Sequence, residues 1–195
     1  MKIIFLDIDG VLNCENAYHE DECKYVGDLV SHQAFYSKSK KLLNELIANT
    51  QAKIVISSTW RFSGIEWMRK VWEEEQMNGE IIDITPHLRY LDKFKGSVER
   101  GSEIKYWLED KGFYNINWSE EEQQKDIDKS GIENYIIIDD DSDMLYNQRN
   151  HFVHVLPSPR NKEGFNQKYY EEALSKLSKS VIELNYLTPS NKQKC

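Results

Sequence analysis

Lys2-Ile3-Ile4-Phe5-Leu6-Asp7-Ile8-Asp9-Gly10-Val11-Leu12 reads as a buried strand that breaks off on two acids and a glycine. After its lysine the run to Leu6 is continuously apolar rather than alternating, the pattern of a parallel strand covered by helices on both faces. Asp7 and Asp9 stand two residues apart, so at the tip of an extended strand their side chains point the same way. Gly10 gives the backbone freedom for an immediate turn. One aspartate at a strand end is an ordinary turn former or helix cap. Two of them with a glycine place charge deliberately at the end of an apolar segment.

Working outward, four more short apolar runs follow: Lys53 to Ile56, Ile81 to Ile84, Tyr135 to Ile138 and Phe152 to Leu156. Helical stripes at three-to-four spacing lie between them. Leu42, Leu43, Leu46 and Ile47 make one; Ile65, Met68, Val71 and Trp72 make another. A third carries Ile104, Trp107 and Leu108 and ends at Gly112, and a last carries Tyr170, Ala173, Leu174 and Leu177. Such alternation predicts an α/β fold with an open, mainly parallel Rossmann-like sheet flanked by helices. A single domain is expected over residues 1–187, with a flexible tail at 188–195. Two stretches leave the alternation, 14–36 and 115–130. The first follows the opening strand directly and is expected to fold as a flap over a ligand site. The second, with its Glu120 to Gln124 run, reads as a solvated helix or loop.

Composition agrees. The chain has 195 residues, 39% of them hydrophobic, enough for one domain with a real core. Mean hydropathy is -0.69 and no apolar run approaches the length of a membrane span, so no membrane association is expected. Met1 to Leu6 runs straight into Asp7, which is not the pattern of a signal peptide. Three cysteines, Cys14, Cys23 and Cys195, form no C-x-x-C pair and point to a reducing, cytoplasmic setting. With 33 acidic against 25 basic side chains the net charge is -8, which argues against a broad basic surface and leaves room only for a local basic groove. Nothing in the sequence signals a protein partner.

The chemistry gathers at strand ends. The second strand runs into Ser57-Ser58-Thr59-Trp60-Arg61, which taken alone is a hydroxyl cap on the next helix. The fourth opens onto Asp139-Asp140-Asp141-Ser142-Asp143, four carboxylates in five residues. These repel one another unless a cation sits among them. Oxygen ligands select a hard divalent ion, and magnesium suits this set better than zinc. Open α/β sheets bind ligands at the carboxyl ends of their strands, where all three clusters fall.

Asp7-Ile8-Asp9-Gly10-Val11 resembles the D-x-D-G-[VT] motif of the haloacid dehalogenase-like (HAD) phosphohydrolase superfamily. Ile54 to Ser58 is similar to its second motif and Ile136 to Asp143 to its fourth, in the same order, and the likeness covers roughly residues 1–180. Arg100 to Leu108 and Ile138 to Met144 further resemble a HAD branch associated with RNA-repair proteins. The resemblance implies that Asp7 is the nucleophile that becomes an aspartyl-phosphate, and that Asp9 protonates the leaving alcohol and then activates water. It implies a Mg2+ ion held by Asp7, the Asp9 backbone carbonyl, Asp139, Asp140 and Asp143. A phosphoryl oxygen would be bound by Ser57 or Ser58, and the third-motif cation would be Lys95 or Arg100. Asp9 is the acid that the family's phosphatases have and its dehalogenases lack, so a phosphatase is expected. A phosphoacceptor receiver domain fits poorly, since the third strand ends in Ile84-Thr85-Pro86-His87 with no acid at its tip.

Neither gap between motifs has room for a large cap domain, so the crevice is expected to be open enough for a phosphate on a bulky carrier. Trp60, Arg61, Phe62, His87, Arg89, Tyr90, Lys93, Phe94 and Lys95 interleave aromatic and basic groups and are expected to stack bases and hold a phosphate backbone. Three readings follow: a phosphatase of nucleic-acid ends (a 3′-phosphate) or nucleotides, a phosphatase of a small metabolite with residues 14–36 closing over it, or a HAD-like binding protein without turnover.

Overall fold

A computed structural model describes residues 1–20, 24–90, 98–114 and 119–186. In chain order its regular elements are β1 (Lys2–Leu6), α1 (Glu15–His19), β2 (Tyr25–Val26), β3 (His32–Gln33), α2 (Ser37–Thr50), β4 (Lys53–Ile56) and α3 (Ile65–Glu74). There follow β5 (Ile81–Ile84), α4 (Arg100–Asp110), α5 (Glu120–Ser130), β6 (Asn134–Asp139), β7 (Phe152–His154), α6 (Gln167–Leu177) and α7 (Val181–Asn185). The five long-range strands form one parallel sheet in the order β5-β4-β1-β6-β7. This is the Rossmann-like α/β arrangement that the alternation predicts.

The strand pleat explains why these runs are apolar throughout. Ile4 and Leu6 of β1, Ile54 and Ile56 of β4, and Ile136 and Ile138 of β6 face one core. There they meet Leu43, Leu46 and Ile47 of α2, Met68 and Val71 of α3, and Ala173 and Leu177 of α6. Ile3, Phe5, Val55, Tyr135 and Ile137 face the other, against Ile104, Trp107 and Leu108 of α4 and Val181 of α7. Phe5 sits edge-on between Trp107 and Tyr135, with centroids 5.3 and 5.9 Å away, the spacing that aromatic pairs favour.

The excursions differ in kind. Residues 14–36 hold α1 and an antiparallel hairpin of β2 and β3, fastened to the end of α3 rather than left loose. His32 is buried with Nε2 3.1 Å from Glu75 Oε1. The Phe35 amide donates to the same oxygen, and Lys40 donates to the other. Of 115–130, the described part is α5, opened by a capping box between Ser119 and Glu122. The sequence pattern gives no sign of the two-residue strands or of five-residue α7. The expected tail at 188–195 lies outside the described residues, as do Cys23 and Cys195. Cys14 is a buried free thiol. No described helix is long and apolar enough to cross a membrane.

Candidate active site

Strand register brings the three motifs level. Leu6 pairs with Ile56 on one side and Ile138 on the other. One step further, the Asp7 amide donates to the Ile138 carbonyl at 3.0 Å and the Ser57 amide to the Leu6 carbonyl at 2.9 Å. Asp7, Ser57 and Asp139 therefore form a row across the carboxyl edge, all buried. Gly10 turns the chain with φ of 74°, and a Cβ there would meet Asp140 Oδ2 at 2.2 Å. That close approach is what the glycine permits.

Carboxylate oxygens of Asp7, Asp139 and Asp140 lie within 4.8 Å of one another. Arg100, at the start of α4, joins two of them: its Nη1 donates to Asp7 Oδ1 at 2.9 Å and its Nε lies 3.2 Å from Asp139 Oδ2. Nη1 also donates to the Ser57 carbonyl. One guanidinium does not balance three carboxylates. Burial pushes the Asp7 carboxyl well above the ordinary range, while Arg100 and the Ser58 hydroxyl pull down and Asp140 adds to the rise. Asp139 is raised the same way, by burial and then by Asp7, against the pull of Arg100. Asp140 is raised by burial and Asp141. Like charges about 4 Å apart repel by about 4 kcal/mol at an effective dielectric of 20, so a second cation among these oxygens is favoured. Asp139 Oδ2 is buried without a hydrogen bond. Its one close partner among the described residues is the Arg100 ion pair, and with the Asp7 and Asp140 oxygens it forms a set of hard donors that could hold a divalent cation such as Mg2+.

One acid expected as a metal ligand through its carboxylate, Asp143, stands apart from this triplet. Asp143 is exposed, and its Oδ2 accepts the Arg100 amide at 2.9 Å, so its carboxylate holds the N-terminus of α4 instead of joining the three oxygens. The Asp9 carboxylate is exposed and turned toward Trp60, whose indole Nε1 donates to both its oxygens at 3.0 and 3.1 Å. Of the two serines, Ser58 is the one whose hydroxyl acts on Asp7, and it also accepts the Trp60 amide at 3.4 Å. Ser57 Oγ is buried with no hydrogen-bond partner. Of the two candidates for the third-motif cation, Arg100 lies against Asp7 and Asp139, and Lys95 lies outside the described residues.

The aromatic and basic stretch divides. Arg61 is buried, not a surface cation: Nη2 pairs with Glu103 of α4, and Nη1 donates to the Ser58 carbonyl at 2.8 Å. Desolvation lowers the guanidinium's pKa and raises that of Glu103, each held in check by the other's charge. Trp60 is half-buried against Phe35 and Trp67. Phe62, His87 and Tyr90 do form an aromatic patch, with Phe62 and Tyr90 53% and 68% exposed and Phe62 stacked on His87 at 4.1 Å. Arg89 is exposed beside them, while Lys93 and Phe94 lie outside the described residues.

Some positioning residues escape a reading of the sequence. Gly101 packs so tightly that a Cβ would lie 2.6 Å from the Leu145 amide nitrogen. Buried Gln148 donates to the Gly101 carbonyl at 2.9 Å, tying α4 to the acidic loop. Only the small residue after Arg100 hints at this.

Residues 3–168 match the family described as the HAD domain in Swiss Army Knife RNA repair proteins. A search of the curated proteins finds no match.

Proposed function

The chain belongs to the HAD domains of Swiss Army Knife RNA repair proteins, and on that premise we propose that it is a magnesium-dependent phosphomonoesterase of nucleic-acid ends or nucleotides. The observation that carries this reading is the buried Asp7 carboxylate held between Arg100 and the Asp139–Asp140 pair. In it Asp7 attacks phosphorus and the bond to the leaving alcohol breaks, with Asp9 supplying the proton. Water then attacks the aspartyl-phosphate, gives its proton to Asp9, and frees Asp7 and inorganic phosphate. Arg100 and the Ser58 hydroxyl fix the nucleophile's oxygens and offer donors to the phosphoryl group. Asp7, Asp139 and Asp140 would hold the Mg2+, whose bound charge lets a phosphate dianion approach carboxylates. The preference for nucleic-acid ends draws on the family's printed description and on the aromatic groups bordering the site. A second reading, a small phosphorylated metabolite, is favoured by the β2–β3 hairpin that borders Asp9.

Release of inorganic phosphate in Mg2+ tests the reaction. Wild type is expected to hydrolyse an aryl phosphate and a 3′-phosphorylated oligonucleotide, with chelation abolishing turnover and Asp7→Asn reducing it at least roughly a thousandfold. A wild type inert toward every phosphoester tried leaves the binding-protein reading in its place. A panel of oligonucleotide, mononucleotide and sugar phosphates separates the two substrate classes.

A further inference from the structure

A cleft of about 360 Å3 opens directly beside the Asp9 carboxylate. It is lined by Trp60 and Trp67 and by Tyr25 of the hairpin, with Gln33, Thr59 and Ser63 among its polar groups. Tyr25 is 82% exposed, and the two indoles lie 5.7 Å apart at 60°. The cleft falls in the roughly 300–1,000 Å3 range of small-ligand sites, and it combines three aromatic rings with several hydrogen-bonding side chains.

Asp9 decides what this cleft is for. Resting on the phosphatase reading above, Asp9 must reach the leaving oxygen, so the group carried by that oxygen lies next to Asp9. In a nucleoside 3′-phosphate the base is one sugar ring away from that oxygen. Asp9 in the lining also favours a neutral planar group in the cleft over an anionic one. Trp60 serves the cleft twice, since its N–H anchors the carboxylate while its ring forms a wall. We infer that the cleft bounded by Asp9, Trp60, Trp67 and Tyr25 is the subsite for the aromatic base of the leaving nucleoside. The enzyme then recognises the terminal nucleoside itself, and a mononucleotide carries most of what is recognised.

The test compares kcat/KM for adenosine 3′-monophosphate with that for glycerol phosphate. Wild type is expected to prefer the nucleotide by roughly tenfold or more, the scale of one base–aromatic stack. Tyr25→Ala removes an exposed ring without opening the core, and Trp67→Ala removes a wall; in each the preference is expected to collapse toward unity, chiefly through KM. A wild type that hydrolyses both esters without preference overturns the subsite and leaves the phosphatase reading standing. A preference that survives Tyr25→Ala and Trp67→Ala but falls in Phe62→Ala also overturns it, moving the base to the Phe62–His87–Tyr90 patch. If no phosphoester is hydrolysed the phosphatase reading fails, and tryptophan fluorescence of the Asp7→Asn protein decides the cleft. Saturable quenching by adenosine 3′-monophosphate, absent with inorganic phosphate and lost in Trp67→Phe, supports the subsite, and no quenching overturns it.

Discussion

Asp139 is completely buried, has one oxygen bonded to the Asp141 amide and leaves the other to Arg100 alone. Its burial and its closeness to Asp7 hold the proton on well above the ordinary aspartate range. A carboxyl whose folded value exceeds its unfolded one binds its proton more tightly when folded. Stability from it is therefore full below the ordinary value of 3.8 and falls as pH rises through the shifted one. Without divalent metal, Asp139→Asn is expected to stabilise the fold at pH 8 by roughly 1–3 kcal/mol and to change little near pH 3. Thermal melts at the two pH values check this; an Asn variant less stable at pH 8 would contradict the strain assigned to the site. At this scale the sequence was legible where motif and strand end coincide. Asp7, Asp139 and Asp140 announce themselves as acids at the tips of apolar runs. Arg61 did not: a cation between Trp60 and Phe62 looks like a nucleic-acid contact, and its buried partner Glu103 lies 42 residues away. The bond from Trp60 to Asp9 spans 51 residues and has no local signature.

Among elements, α4 carries the most consequence for the site. Arg100 reaches Asp7 because the helix start is pinned twice to the acidic loop, by Asp143 on the Arg100 amide and by Gln148 on the Gly101 carbonyl. Alanine at 101 gains about 1 kcal/mol of helix propensity over glycine. Its Cβ would nonetheless press on the Leu145 nitrogen and Met144 Cα at 2.6 and 2.9 Å, backbone atoms that do not yield cheaply. Gly101→Ala is expected to cost about 1–3 kcal/mol and to lower kcat roughly ten- to a hundredfold by moving the guanidinium. Denaturant midpoints with phosphate-release kinetics measure both. The long elements were readable because apolar period and length agree: β1, β4 and β5 have the bounds their runs predict. The bond from the Arg100 amide to Asp143 was not legible, because a carboxylate in an acidic run looks the same in sequence whether it faces a cation or a helix start. The β2–β3 hairpin stayed hidden because two residues per strand show no alternation, and its hold on α3 runs through His32 and Glu75, distant in sequence.

The whole molecule brings a negative chain to a negative substrate. At a net charge of -8, with Arg61 buried and Arg100 committed to carboxylates, long-range attraction for a polynucleotide is weak. Recognition then rests on the terminal nucleotide, and few counterions are released on binding. KM for a 3′-phosphorylated oligonucleotide is expected to change less than about tenfold between 50 and 200 mM salt; steady-state kinetics across that range check it, against the roughly thousandfold or greater loss of a backbone-gripping protein. Whatever the substrate, in the proposed reaction the Asp7 oxygen, caged between Arg100 and two acids, makes the bond to phosphorus. Acid-quenched turnover followed by peptide mass analysis tests it most directly. One added phosphoryl mass is expected on the peptide carrying Asp7, formed only with Mg2+ and absent in Asp7→Asn. Turnover with that peptide unlabelled under rapid quench, or label on a residue other than Asp7, would contradict it.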